Sequence, residues 1–289
     1  MASSRLSLGT KGREKNVCRK GMVGDAGDAG GLRKFFIALA LATVPAIGLG
    51  RPAHGDITYN GFWQLDEGQG SIAHDSSGHG NDGTIYGATW TTGYMGGGLH
   101  FRGGTIDDRV QVADSPTLDL VDALVLEAWI KPDIDILSDH EWSYGLIDKW
   151  HGRTGYRLTL GAFKEQATPS YLWLFFGFGG GEYAAWPSTT ANWDAGEWYH
   201  VMATYDASLV SGNVKIYVND VLEAAYNETR PIAVNTLPLF IPDDPFLDGH
   251  PYNRYFPGVM DEVGVGVPEP GALMLLGLGG LAALRRRPR

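Results

Sequence analysis

Between residues 57 and 266 the chain alternates short β-branched and aromatic runs with Gly, Asp, Asn and Pro, and no stretch repeats its apolar residues at a helical period. Alternation with a period of two, bounded by turn formers, predicts strands. On that pattern strands are expected over 59–65, 84–90, 99–101, 109–113, 124–131, 144–150, 156–160 and 171–178. Further strands are expected over 183–186, 198–205, 214–218, 221–226, 237–241 and 255–265. Leu126, Ala128 and Ile130 fall on one face of their strand, Glu127 and Trp129 on the other. Val214 to Leu222 reads as a hairpin that turns at Asn219-Asp220. Many short strands separated by turns predict an all-β antiparallel sandwich. No internal repeat is visible at periods of about 20–50 residues.

Two apolar segments break this pattern. The first, 35–49, follows Arg33-Lys34 and precedes the small residues Ala53 and Gly55. That order is a secretory signal over 33–55, with cleavage expected just before Asp56. Residues 1–32 are then an N-terminal extension, for which Met22 offers an alternative start. The second segment, 272–284, follows Pro268-Glu269-Pro270 and ends in Arg285-Arg286-Arg287. It is short for a bilayer core of about 30 Å, and its arginines would stay cytoplasmic while everything upstream lies outside. An apolar helical segment is thus expected at each end.

Charge narrows the partners. Of the 289 residues, those from 56 to 270 hold 30 Asp plus Glu against 10 Lys plus Arg, about −20. Such a surface excludes nucleic acid, because phosphate contacts need a basic face. It suits divalent cations and neutral partners, or simply solubility outside the cell. Cys18 is the only cysteine, so there is no disulfide framework.

The stretch His74-Asp75-Ser76-Ser77-Gly78-His79-Gly80-Asn81-Asp82-Gly83-Thr84 is a loop on composition alone. Two readings stand side by side: a polar turn held by its own hydrogen bonds, or an oxygen-rich home for a hard cation. Among the aromatic residues, Trp63 and Trp198 sit in regular strands and read as core. Trp142, Trp150 and Trp186 are flanked by polar or loop residues and, with Arg153, suit stacking on sugar rings. Their alternative role is as half-buried loop anchors. Asp243, Asp244 and Asp248, in the loop over 242–253, could bind a second cation or sugar hydroxyls, or be solvated.

The order of motifs carries a resemblance. Phe62-Trp-Gln-Leu-Asp-Glu-Gly, the Asp75–Thr84 loop and Gly97-Gly-Leu-His-Phe101 come first, then Leu126-Glu-Ala-Trp-Ile-Lys-Pro132. Glu197-Trp-Tyr-His-Val-Met-Ala-Thr-Tyr-Asp206, Lys215-Ile-Tyr-Val-Asn219 and Tyr255-Phe-Pro-Gly-Val-Met-Asp-Glu-Val263 follow. This resembles the laminin-G-like, concanavalin A-like lectin/glucanase jelly roll and covers 56–266. The resemblance implies two antiparallel sheets face to face, with the first and last strands side by side. It also implies a structural Ca²⁺, whose matching ligands here are Asp75, Asn81 and Asp261. Glucanases of this superfamily carry Glu-x-Asp-x-x-Glu on one strand; that spacing is absent, and Glu127 has Trp129 where the Asp would stand. The implied function is therefore a secreted, non-catalytic carbohydrate-binding or adhesion domain with a polysaccharide or glycan partner. A structural or protein-binding matrix component, and a hydrolase with a non-standard carboxylate pair, are the alternatives.

The tail 267–289, with Pro268, Glu269 and Pro270, resembles the PEP-CTERM sorting signal. That resemblance implies an exosortase as processing partner, only transient membrane contact, and the envelope or exopolysaccharide matrix of a Gram-negative bacterium. One departure stands out. The family's last strand usually runs on past Asp-Glu-Val, whereas here Gly264-Val-Gly266 meets Val267-Pro268 at once, so the strand is either shortened or finished by the linker.

Overall fold

The computed structural model describes residues 57–103, 108–137, 143–161, 169–242 and 253–269. The signal segment, the apolar tail, Trp142, Pro270 and the acidic residues Asp243, Asp244 and Asp248 lie outside them.

In chain order the strands begin with β1 (Ile57–Trp63), β2 (Ile72–Ala73), β3 (Gly83–Tyr86), β4 (Thr89–Thr92), β5 (Gly97–Phe101) and β6 (Arg109–Val112). Next come β7 (Ala123–Pro132), β8 (Ser143–His151), β9 (Thr154–Gly161), β10 (Tyr171–Gly179), β11 (Glu182–Pro187) and β12 (Tyr199–Asp206). The last are β13 (Val214–Val218), β14 (Val221–Tyr226), β15 (Leu239–Ile241), β16 (Asn253–Arg254) and β17 (Gly258–Pro268). A single 3₁₀ turn, Pro116–Leu118, is capped by the Ser115 side chain.

These strands make two sheets. One is ordered β14-β13-β12-β7-β17-β5-β4, with β1 also on β17; the other is ordered β11-β10-β9-β8-β15-β6-β3-β2, with β16 beside β8. Neighbours run antiparallel except for the short β16–β8 contact. The sequence-based expectation of a jelly-roll β-sandwich is met. First and last strands pair along their length, from Ile57 opposite Pro268 to Trp63 opposite Val263.

The alternation read from the sequence explains the core. Leu126, Ala128 and Ile130 are fully buried, together with Val201, Ala203 and Tyr205 from neighbouring β12 and Leu158, Leu160 and Leu174 from the opposite sheet. Trp63 is fully buried too, and its indole N–H donates to Asn81 O at 2.9 Å, so the Gly-rich loop is docked on the core. The Asn219-Asp220 turn forms where expected, with both residues at positive φ.

Three departures from the expected pattern shape the sheets. The strand expected over 84–90 is two strands in different sheets, β3 and β4, parted at Gly87, whose φ of 72° is open to glycine at no steric cost. The last strand is finished by the linker: Val267 and Pro268 belong to β17 and pair with Thr58 and Ile57. In β8 the register against β9 shifts between Gly145 and Ile147. That bulge lets Leu146 and Ile147 both enter the core and turns Asp148 and Trp150 away from it.

Candidate functional site

Each sheet has an outer face, turned away from its partner sheet. On the nine-stranded sheet one row runs from Thr84 through Gln111, Phe240, Asp148, Arg157 and Phe175 to Ala185, each the register neighbour of the next. The adjoining row is Trp150, Gly155, Gly177 and Tyr183. Its two glycines form a closely covered floor between the flanking aromatics, where a Cβ on Gly155 would lie 1.8 Å from Lys149 O. Trp150 and Tyr183 lean over it from opposite ends, edge to face, with ring centroids 6.0 Å apart. A Cβ at Gly177 would lie 2.2 Å from the Arg153 backbone, so only glycine lets the β8–β9 turn lie this close to β10.

That turn is tight. Gly152 and Arg153 both take positive φ, as a two-residue hairpin loop requires. The turn carries the exposed Arg153 over the Tyr183 ring, 5.1 Å from its centroid, while Arg153 Nη1 donates to Gly181 O. Along β10, Tyr171, Trp173 and Phe175 extend the aromatic strip, with successive centroids 5.9 and 6.2 Å apart, and Trp150 meets Phe175 at 6.1 Å. Trp173 and Phe175 are nearly covered, whereas Tyr183 is 42% exposed and Trp150 is half-buried. Beneath the strip, Arg157 Nε lies 3.1 Å from the fully buried Asp148 Oδ2, and Asp148 Oδ1 accepts the Trp150 N–H at 2.8 Å. A buried, paired guanidinium of this kind fixes geometry more than it adds stability. Flat rings beside polar side chains can stack on the apolar faces of a sugar while N–H groups bond its hydroxyls.

Of the sugar-binding residues expected from sequence, Trp150 and Arg153 come together here. Trp186 does not. Tyr183 points outward, and a residue three further along a strand points the opposite way; Trp186 is buried in the core, edge-on to Phe176 with centroids 5.0 Å apart. Sequence reasoning missed Tyr183, Phe175, Trp173, Arg157 and Asp148. The spacing of Tyr171, Trp173 and Phe175 at every second position was the available signal.

The metal ligands implied by the resemblance serve separate loops. Asp75 Oδ1 accepts the N–H groups of Phe62 and Ser77, at 3.0 and 2.8 Å, and Oδ2 accepts that of Asn81 at 2.8 Å. Burial pulls its carboxyl upward, but the Ser77 hydroxyl and these N–H groups hold it below the usual carboxylate range. Asn81 spends its amide N–H groups on Asn60 O and Thr117 Oγ1. Asp261 is fully buried and accepts Met95 N–H at 2.8 Å and Glu262 N–H at 2.9 Å, which pins the β4–β5 turn. Burial, with the charge of Asp66, pushes its carboxyl up to about 6 in spite of those bonds. These hydrogen bonds give both carboxylates a loop-anchoring role, Asp75 in the Gly-rich loop and Asp261 at the β4–β5 turn. Among the described residues, no group of three or more His, Cys, Asp or Glu is placed to hold a metal ion.

The outer face of the eight-stranded sheet is also aromatic, but closed on itself. Trp129 is stacked between Tyr94 and His200, at 3.4 and 5.0 Å, and Trp198 meets Tyr94 edge-on with Lys131 over its ring. Trp198, expected in the core from its alternation, therefore lies on the outer face instead. His200 Nδ1 is 2.6 Å from Asp220 Oδ1, and Nε2 is 3.5 Å from Glu127 Oε2. Burial opposes charge on this imidazole, but the bonds to Glu127 and Asp220 prevail and raise its titration above the ordinary value. Glu127 also accepts the Tyr59 hydroxyl.

Comparison with known proteins agrees with the fold. The family model of the concanavalin A-like lectin/glucanases superfamily matches residues 102–265, and that of the PEP-CTERM protein-sorting motif matches 266–287. The motif marks the chain for export to the cell envelope or beyond. No curated protein matches the sequence. Among solved structures, the binding domain of Paraclostridial Mosquitocidal Protein 1 superposes with a TM-score of 0.55 at 12% identity, covering 77% of this chain and 51% of that one. Domain 4 of an extracellular arabinanase from Geobacillus stearothermophilus, in complex with arabinotriose, gives 0.50 at 17% identity, covering 74% and 94%. Botulinum neurotoxin type C, which depends on two ganglioside molecules to get into cells, gives 0.50 at 13%, covering 76% and 50%. The chain thus spans about half the length of the toxin chains it resembles. Identities this low speak for the fold alone. Two sheets in jelly-roll order and a family match over more than half the chain lead to one conclusion: the chain belongs to the concanavalin A-like lectin/glucanases superfamily.

Proposed function

We propose that the chain is a non-catalytic carbohydrate-binding domain that holds a polysaccharide on the outer face of its nine-stranded sheet. The observation that supports this reading is the aromatic strip ending in Trp150, Tyr183 and Arg153, whose exposed end is built over the Gly155–Gly177 pair by the β8–β9 turn. Trp150 and Tyr183 present ring surface, and Arg153, with only one N–H group spent on Gly181 O, keeps donors for hydroxyls. Hydrolysis is disfavoured by the carboxylates at hand. Asp148 is bound to Arg157 and the Trp150 N–H, and Glu127 on the other sheet is bound to Tyr59 and His200. A glycosidase needs two carboxylates free to face one glycosidic bond. On this reading the binding face works in the envelope or exopolysaccharide matrix of a Gram-negative bacterium, with an exosortase as processing partner; the sorting motif is its support.

The test is a glycan array and a panel of insoluble polysaccharides probed with the full chain and with Trp150→Ala and Tyr183→Ala. Binding by the parent chain that both substitutions weaken about fivefold or more supports the reading. Binding that neither alters means that the ligand sits elsewhere. A second reading, a protein-binding matrix component, has its own support in Val221 and Leu222, consecutive and exposed at the β13–β14 turn. No glycan bound by any form of the chain would favour it.

A further inference from the structure

The bulge that turns Trp150 outward turns Lys149 inward. Lys149 pairs with the buried Tyr156, and its side chain is only 2% exposed. An ammonium removed from water is costly unless other oxygens replace its hydration shell. Five oxygens lie within 3.5 Å of Nζ: Asp114 Oδ1 at 2.7, Asn235 O and Leu237 O at 3.0 each, Asp119 Oδ1 at 3.3 and Asn235 Oδ1 at 3.5 Å. An ammonium has three protons to give. The geometry shows the shortfall: Asp119 Oδ1 is buried and accepts no hydrogen bond, so its tie to Lys149 is electrostatic only. One positive charge also faces two carboxylates.

Carboxylates, peptide carbonyls and an amide oxygen, drawn from separate loops, are the donor set of a hard divalent cation. Their charge reaches Tyr156 as well: burial and then Asp119 and Asp114 push its hydroxyl well above its ordinary titration, and it donates to Leu118 O at 2.9 Å. The ammonium ties the segment after β6, the segment after the 3₁₀ turn and the approach to β15 onto β8. Asn235 adds bonds from its Nδ2 to Lys149 O and Thr154 Oγ1, next to the turn that carries Arg153.

We propose that this cage is a hard-cation site which the chain fills with its own ammonium, Lys149 Nζ standing where a divalent ion would otherwise close the same loops. The native domain then needs no free metal at this end of the sheets. Removing the ammonium while keeping the oxygens exposes the site.

The experiment compares thermal melts of the full chain with Lys149→Ala and Lys149→Met, in EDTA and in millimolar CaCl2, with NaCl of matched ionic strength as control. Lys149→Ala leaves the oxygens and room for an ion; Lys149→Met fills the volume without charge. The expected result is a parent melt indifferent to Ca²⁺, a Lys149→Ala melt lowered in EDTA and raised saturably by Ca²⁺, and a low Lys149→Met melt that does not respond. Adding Asp114→Asn to Lys149→Ala should abolish the rescue. Should Lys149→Ala fail to fold in EDTA, its refolding yield in CaCl2 is read instead: recovery supports the cage, and no recovery overturns it. A folded Lys149→Ala that gains no more from CaCl2 than from NaCl overturns it too, as does an equal response from Lys149→Met.

Discussion

Trp150 and Trp186 look alike in the sequence and should behave oppositely when removed. Trp186 is 8% exposed and packed into the core against Phe176. Its truncation to Ala leaves a cavity between the sheets and should cost about 3–5 kcal/mol. For a domain of this size that is a fall in melting temperature of roughly 6–20 °C. Trp150 is half-buried and meets two rings edge-on, Phe175 at 6.1 Å and Tyr183 at 6.0 Å. Each such pair is worth about 0.5–1.5 kcal/mol, so Trp150→Ala should cost about 1–3 kcal/mol of stability. A sugar stacked on the same indole would lose a similar amount, and at tenfold per 1.4 kcal/mol that is roughly a 5- to 140-fold weaker Kd. Affinity electrophoresis in gels containing the polysaccharide, run well below both melting points, reads binding; differential scanning calorimetry reads stability. The expected pattern is weak binding with a modest melt shift for Trp150→Ala, and parental binding with a large melt shift for Trp186→Ala. Parental affinity in Trp150→Ala, or lost affinity in a folded Trp186→Ala, would refute the assignment of faces.

Three further outcomes concern the buried charges. The titration of His200 is raised in the folded chain, so its contribution is whole below about pH 6.5 and is lost as pH rises through the folded value; urea midpoints should fall over that interval, and His200→Gln should flatten the fall. Asp261, pushed up to about 6, keeps its proton between roughly pH 4 and 6 while the unfolded chain has released its own. Stability from this group should therefore decline as pH rises across that window, and a decline of the same size in Asp261→Asn would contradict the assignment. Because N–H groups already engage Asp75 and Asp261, EDTA should leave the parental melting temperature within about 1 °C of its value in Ca²⁺; a larger drop would restore the calcium expectation.

The sandwich was legible because alternation survives in most strands. Leu126, Ala128 and Ile130 had one consistent environment, and the Asn219-Asp220 turn had its own chemistry. The binding face was less legible because it depends on parity, and one extra residue reverses parity. Counting by twos from the buried Tyr144 puts Asp148 and Trp150 in the core and Lys149 outside; the bulge before Ile147 inverts all three. Gly145 is its one local signal, since a glycine inside a strand often marks a bulge, but it does not say which residue is inserted. Trp186 misled for a related reason: Pro187 and Ser188 suggested a loop, but β11 continues through Pro187 and parity from Tyr183 sends the indole inward. The acidic loop around Asp75 shows a third limit, since oxygens that would ligate an ion and oxygens that accept backbone N–H groups have the same composition.

The sorting motif adds a constraint that neither the fold nor the motif implies separately. The family match to the motif begins at 266, yet β17 does not end until Pro268, Val267 packs against the core, and Thr58 Oγ1 donates to Glu269 Oε1 at 3.0 Å. The first residues of the address are therefore also the last residues of the sandwich, and they are held by the first strand after the expected signal cleavage. A domain boundary drawn at 266 would strip Ile57 and Thr58 of their partners. Pro268 can occupy this place because it stands at the end of the strand, beyond the last β7 pairing at Gly266 and at the terminal pair with β1, where a missing N–H interrupts no ladder part-way. Any enzyme that must enclose Pro268-Glu269 has first to peel this end from β1. The pairs Thr58–Val267 and Ile57–Pro268, the packing of Val267 against the core and one exposed side-chain bond oppose it. Strand ends fray at little free-energy cost, so Pro268 and Glu269 can leave β1 while the rest of the sandwich stays closed.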